Sequence, residues 1–114
     1  MRRVRAKTAH KIPDRPPIHV AVGEHVSAAE VDDEWPEFVF VTCADGSGWV
    51  PARYLSSSSG PAVVQEAYDT TELPTQAGDL LQVIEEDAIS GWLWCRSVDG
   101  REGWVPINTV EGSE

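Results

Sequence analysis

Short runs of β-branched and aromatic residues, broken at close intervals by glycine, proline and aspartate, set the character of this chain. Phe38-Val39-Phe40-Val41-Thr42-Cys43 and Leu80-Leu81-Gln82-Val83-Ile84 have the length and composition of strands. Asp45-Gly46 follows the first run after one alanine, which is a hairpin signal. Only Ser27-Ala28-Ala29-Glu30 has a locally helical composition; it is too short to hold as an isolated helix and reads as a turn or loop. Several short strands separated by turn signals predict an all-β chain of small, closed or nearly closed barrels.

The pattern also repeats. Gly48-Trp49-Val50-Pro51 recurs as Gly103-Trp104-Val105-Pro106, and Gly23-Glu24 recurs as Gly78-Asp79, both at an offset of 55. Near the same offset Trp35 has a counterpart in Trp92, and Asp45-Gly46 in Asp99-Gly100. A fixed period marks a duplicated structural unit. The 114 residues accommodate two units of about 55, near the lower size limit for a domain that folds alone. Ser56-Ser57-Ser58-Ser59-Gly60-Pro61 has no apolar side chain to bury and ends in two breakers, so it reads as a flexible linker. The expected organisation is therefore a first domain over 1–55, a linker over 56–61 and a second domain over 62–111.

Charge sharpens the picture. The net charge is −10, yet residues 1–15 carry a net +5 and the remainder −15. An acidic body argues against nucleic acid as a ligand, because phosphate neutralisation needs a cationic face, and favours basic partners. No apolar run follows the basic N-terminus to make a signal-peptide core, and no stretch approaches the ~18 apolar residues of a membrane span, so a cytoplasmic location without membrane contact is expected. Cys43 and Cys95 have no partner at metal-ligand spacing and read as free, buried thiols. His10, His19 and His25 show no ligand spacing and read as ordinary surface or partly buried side chains. Neither a nucleophile–base arrangement nor a glycine-rich phosphate loop is present, which points away from an enzyme and from any cofactor.

Both halves resemble the SH3 domain. In the second half, Ala67-Tyr68-Asp69 is similar to the core of the family's Ala-Leu-Tyr-Asp-Tyr motif, and Ala77-Gly78-Asp79-Leu80 to the end of its RT loop. Ser90-Gly91-Trp92-Leu93-Trp94 resembles its Gly-Trp-Trp stretch, and Gly103-Trp104-Val105-Pro106-Ile107-Asn108-Thr109-Val110 its closing Gly-Tyr-Ile-Pro-Ser-Asn-Tyr-Val. The first half matches in Trp35 and in Gly48-Trp49-Val50-Pro51-Ala52-Arg53-Tyr54-Leu55, but has Val4-Arg5-Ala6-Lys7-Thr8 where the tyrosine motif belongs and a longer loop up to Gly23. It resembles a divergent, bacterial-type variant. The resemblance implies two consecutive five-stranded barrels that bind extended, proline-rich segments.

By that resemblance, the groove walls are Tyr68, Trp92, Pro106 and Asn108 in the second unit and Trp35, Pro51 and Tyr54 in the first. A polyproline II ligand is already extended and loses little entropy when it docks between such rings. Acids that would select a basic ligand residue are Glu72, Asp79, Glu85, Glu86 and Asp87 in one unit and Asp32, Asp33 and Glu34 in the other. Thr70 and Thr109 stand where the family has further tyrosines, so neither groove has all its walls. Trp92 and Trp94 are read as pointing to opposite faces of their strand, with only one in the groove, and Trp49 and Trp104 as packing rings. Lys11-Ile12-Pro13-Asp14-Arg15-Pro16-Pro17 reads as a stiff loop, or as a Pro-x-x-Pro ligand for a groove of this chain or of a second copy.

The function expected is a non-enzymatic interaction module that takes a short basic or proline-containing segment of a partner protein. Two alternatives stand beside it: an assembly protein whose aromatic surfaces pack the barrels together or form a homo-oligomer, and a cell-wall-binding module, which the missing signal peptide weakens.

Overall fold

Alternation of inward and outward side chains builds several of the strands. In the computed structural model, residues 2–12, 16–31 and 36–112 are described. Val4 and Ala6 are buried while Arg3 and Arg5 face solvent in β1 (Arg3–Ala6), and Leu93 and Cys95 alternate with half-buried Trp92 and Trp94 in β9 (Trp92–Ser97). The other strands are β2 (His19–Val20), β3 (His25–Val31), β4 (Phe38–Cys43), β5 (Gly46–Pro51), β6 (Gly60–Val63), β7 (Tyr68–Asp69), β8 (Leu80–Asp87), β10 (Glu102–Pro106) and β11 (Val110–Gly112). Single 3-10 turns cover Ala52–Tyr54 and Ile107–Thr109. The described residues form no α-helix.

Ser27-Ala28-Ala29-Glu30, expected as a turn, lies inside β3. That strand pairs with β4 on one side and β6 on the other, and Val26 and Ala28 enter the core. Two ladders of hydrogen bonds override a weak local preference.

The chain divides into two compact units, but not at the serine run. One unit is continuous, residues 15–70; the other is discontinuous, joining residues 1–14 to 71–114. The discontinuous unit holds a five-stranded antiparallel sheet in the order β10-β9-β8-β1-β11, over a core of Val4, Leu73, Leu81, Leu93, Cys95, Val105 and Val110. The continuous unit holds a four-stranded sheet, β5-β4-β3-β6, and a two-stranded one, β2-β7. Its buried side chains include Ile18, Val20, Val26, Val39, Val41, Val50, Leu55 and Val64.

This division differs from the expected 1–55 and 62–111, and the strand pairing gives the reason. Strand β1 pairs with β8 and β11, in the C-terminal half of the sequence, whereas β6 pairs back onto β3. The serines are a turn within the continuous unit. The Ser56 N–H donates to the Val63 carbonyl (2.9 Å), the Val63 N–H donates to Ser56 Oγ (2.8 Å), and the Ser57 hydroxyl donates to the Ser59 carbonyl (2.9 Å). Serine hydroxyls satisfy turn backbone as readily as they solvate a linker.

Each unit receives one strand in the same way. Around Ala6, the Ala6 N–H donates to the Asp79 carbonyl (2.8 Å) and the Gly78 N–H to the Ala6 carbonyl (2.7 Å). Around Val64, the Val64 N–H donates to the Glu24 carbonyl (2.9 Å) and the Gly23 N–H to the Val64 carbonyl (2.8 Å). The paired Gly-acid dipeptides of the sequence are thus the turns that receive these strands. Asp79 closes its turn with its carboxylate on the Gln76 N–H (2.9 Å), as Glu24 does on the Ala21 N–H (3.1 Å).

Candidate functional site

The residues expected to line grooves separate into two aromatic clusters, with membership set by the strand pairing. In the continuous unit, Tyr54 stands at the end of the 3-10 turn and Tyr68 on β7. Their rings meet edge to face, with centroids 5.6 Å apart and planes at 68°, a favoured aromatic geometry. Pro51 is buried just before the turn. The Arg53 guanidinium lies 4.9 Å from the Tyr54 ring centroid, so a cation already covers part of this wall. His19 Nε2 is 2.7 Å from Asp69 Oδ2 beside it. Trp35, Asp32, Asp33 and Glu34 lie outside the described residues.

In the discontinuous unit, Trp92 opposes Pro106 across the β9–β10 pair. The His10 ring packs edge-on against Trp92, with centroids 5.6 Å apart and planes at 73°. His10 Nε2 is 2.9 Å from Glu72 Oε1, and two backbone hydrogen bonds with Thr75, of 3.0 and 3.1 Å, fix the histidine's position. The Thr109 hydroxyl donates to the Pro106 carbonyl (2.8 Å), so this substitute for a family tyrosine braces the 3-10 turn; Asn108 is exposed on that turn.

Tyr68, expected beside Trp92, Pro106 and Asn108, instead joins Tyr54 and Pro51, because β7 pairs with β2 of the continuous unit. The place next to Trp92 belongs to His10. Ala9-His10 matches Ala67-Tyr68 at an offset of 58, and both His10 and Tyr68 take part in short antiparallel pairings, with Thr75 and Val20 respectively. The signal was present, shifted three residues from the main repeat.

The acids have unequal roles. Glu72 reaches the aromatic cluster through His10, and Glu85 is exposed on β8 opposite Trp94. Glu86 is ion-paired with Arg2, and Asp79 is occupied by its own turn. Asp87 is buried and accepts the Ser90 N–H (3.3 Å).

Contrary to the expectation of opposite faces, Trp92 and Trp94, two residues apart on a strand, share the outward face, and Leu93 and Cys95 face the core. Trp94 packs edge-on against Trp104 at 5.2 Å, and its indole N–H donates to Glu102 (2.9 Å), which also binds Arg96 (2.8 Å). These bonds, the indole first, hold the Glu102 carboxyl below the usual carboxylate range. Phe40 and Trp49 form the matching pair in the continuous unit at 5.1 Å. Burial pushes the Cys95 thiol up to about 11 against the opposing charge of Arg2, so it is an inert core group. Both cysteines are free. Among the described residues, no group of three or more His, Cys, Asp or Glu side chains is placed to hold a metal ion, and no helix is long and apolar enough to cross a membrane.

The described residues are all-β, with an aromatic cluster in each unit. Residues 64–112 match the variant SH3 domain family. Among curated proteins the chain is similar to the human SH3 and PX domain-containing protein 2B, 28% identical over 112 residues, and to its mouse counterpart, 27% identical. Each alignment covers 82% of this chain and 12% of the relative, so the chain spans only a small part of those proteins. No solved structure matches.

Proposed function

We propose that this protein is a non-enzymatic interaction module in the cytoplasm, built of two SH3-like barrels, that takes short proline-containing or basic segments of partner proteins on two unlike aromatic grooves. The observation that carries the reading is the pair of edge-to-face ring contacts, Tyr54 with Tyr68 and His10 with Trp92, each in the same unit as a buried proline of a Val-Pro step. Such walls suit the pyrrolidine rings of an extended segment. Charge distinguishes the two. Glu72 and Glu85 give the discontinuous unit an acidic rim suited to a lysine or arginine beside the prolines, whereas Arg53 leaves the Tyr54 groove without that preference.

A peptide array probed with the wild-type chain, Tyr54→Ala and Trp92→Ala tests this. Each substitution is expected to weaken a different set of peptides about tenfold or more, equivalent to ~1.4 kcal/mol. Peptides lost with Trp92→Ala should be the richer in basic residues. Identical profiles for all three proteins would sink the proposal.

A further inference from the structure

The segments that supply β1 and β6 are built alike, and each sits in the unit formed mainly by the other half of the sequence. We propose that they are interchangeable: the chain has a second pairing of the same strands, in which β6 moves into the place of β1 beside β8 and β11, and β1 into the place of β6 beside β3. The pairing is independent of the peptide-binding reading; only its consequence for the grooves rests on that reading.

The two acceptor sites are alike. Ala6 and Val64 make the same pair of backbone hydrogen bonds to Gly78-Asp79 and Gly23-Glu24. Arg5 stands opposite Leu80 and Val63 opposite His25; Val4 opposite Leu81 and Ala62 opposite Val26. The buried cargo also matches. One segment inserts Val4 and Ala6, the other Ala62 and Val64, so each brings one valine and one alanine to the core in reversed order. Swaps that conserve core volume are the best tolerated. The outward positions, Arg3 and Arg5 against Pro61 and Val63, bury no charge in either place.

The family match supplies an independent observation. It runs unbroken over 64–112, across the 70/71 boundary at which the observed units divide. The second pairing would make 64–112 part of one unit, with Tyr68 brought to Trp92 and His10 to Tyr54. One sequence would then present two different sets of grooves.

Electrostatics selects the observed pairing. Arg2 is ion-paired with Glu86, and the Arg5 guanidinium donates to the Gly78 carbonyl (2.9 Å). The segment around β6 has no basic residue to replace them. Exposed ion pairs weaken as salt rises, so salt should favour the second pairing.

Disulfide trapping in the full chain, on a Cys43→Ser background, tests this directly. Residues opposite each other in antiparallel strands have Cα atoms about 4.5–5.5 Å apart, within disulfide reach. Arg5→Cys with Leu80→Cys reports the observed pairing, and Val63→Cys with Leu80→Cys the second. After equilibration in a redox buffer at low and at 1 M salt (about a threefold shorter Debye length than at 0.1 M), acid quenching and peptide mapping give the yield of each link within single chains. The first pair should dominate at low salt. The second should form above a mismatched control, Val63→Cys with Val98→Cys, and rise severalfold with salt or on adding Arg2→Glu. No intrachain link from the second pair while the first forms, a second link found only between chains, or a second link formed to the exclusion of the first would each overturn the proposal. Efficient closure of the first pair verifies folding, and none of these readouts depends on peptide binding.

Discussion

A Cβ built on Gly103 would lie 2.7 Å from both the Glu72 carbonyl carbon and the Leu73 nitrogen, whereas one on Gly48 would meet only side-chain carbons of Ile18 and Thr70, at 3.4 Å. The two copies of Gly-Trp-Val-Pro therefore differ in what their glycines protect. Gly103→Ala is expected to cost ~1–3 kcal/mol or more, because main chain must move, and Gly48→Ala less than ~1 kcal/mol; urea midpoints of the two variants measure the contrast. Glu102 yields a second prediction. Its carboxyl is held below the usual range by the Trp94 indole and then Arg96, so its stabilising effect is whole above the ordinary carboxylate value and is lost as pH falls through the lowered one. Tryptophan emission should stay level as pH passes about 4.3 and shift only below it. Glu102→Gln should remove that acid-side shift. At this scale the sequence was uneven in what it disclosed: motif spacing singled out Trp92, Pro106 and Tyr54, while His10, which packs against Trp92, was hidden because a three-residue difference in loop length moved Ala-His out of step with Ala-Tyr.

Strand composition was easier to read than strand partnership. The runs Phe38–Cys43 and Leu80–Ile84 became β4 and much of β8, but alternation specifies which face a residue takes and says nothing about its neighbour strand. Both β1 and β6 carry a valine–alanine alternation that suits either sheet, so chain order suggested the nearer partner and the structure shows the farther one. Val4 is almost wholly buried against β8 and β11. Val4→Ala removes two buried methylene-sized groups and leaves a cavity, for about 1.5–3 kcal/mol. Hydrogen exchange should locate the loss: amides of β8 and β11 are expected to exchange faster, with β3, β4 and β5 unchanged. Equal loss across both sheets would contradict the division into units.

For the whole molecule, a division into two units was legible and its borders were not. A polar serine run satisfies the compositional test for a linker, yet its hydroxyls are spent on a turn, and the chain passes between units at 14/15 and 70/71. This yields a prediction about fragments. Residues 15–70 contain a complete unit and should give a dispersed NMR spectrum alone; residues 71–114 lack their first strand and should not, until a peptide of residues 1–14 is added. Failure of that peptide to restore dispersion would mean that the discontinuous unit depends on more than its missing strand. The basic N-terminal segment has a place in this scheme as the cationic strand of an otherwise acidic unit.

The pairing of β1 with β11 also fixes how the molecule bears load. These strands run antiparallel, with Val4 beside Gly112 and Ala6 beside Val110, so the two outer ends of the described chain leave the same sheet side by side. Tension applied through residues 3 and 112 opens this pair like a zipper, rupturing its hydrogen bonds in succession instead of shearing them together. The first element to yield under pulling would be the edge strand β11, which only β1 holds, while β1 keeps its pairing with β8 and the continuous 15–70 unit stays closed on its own strands.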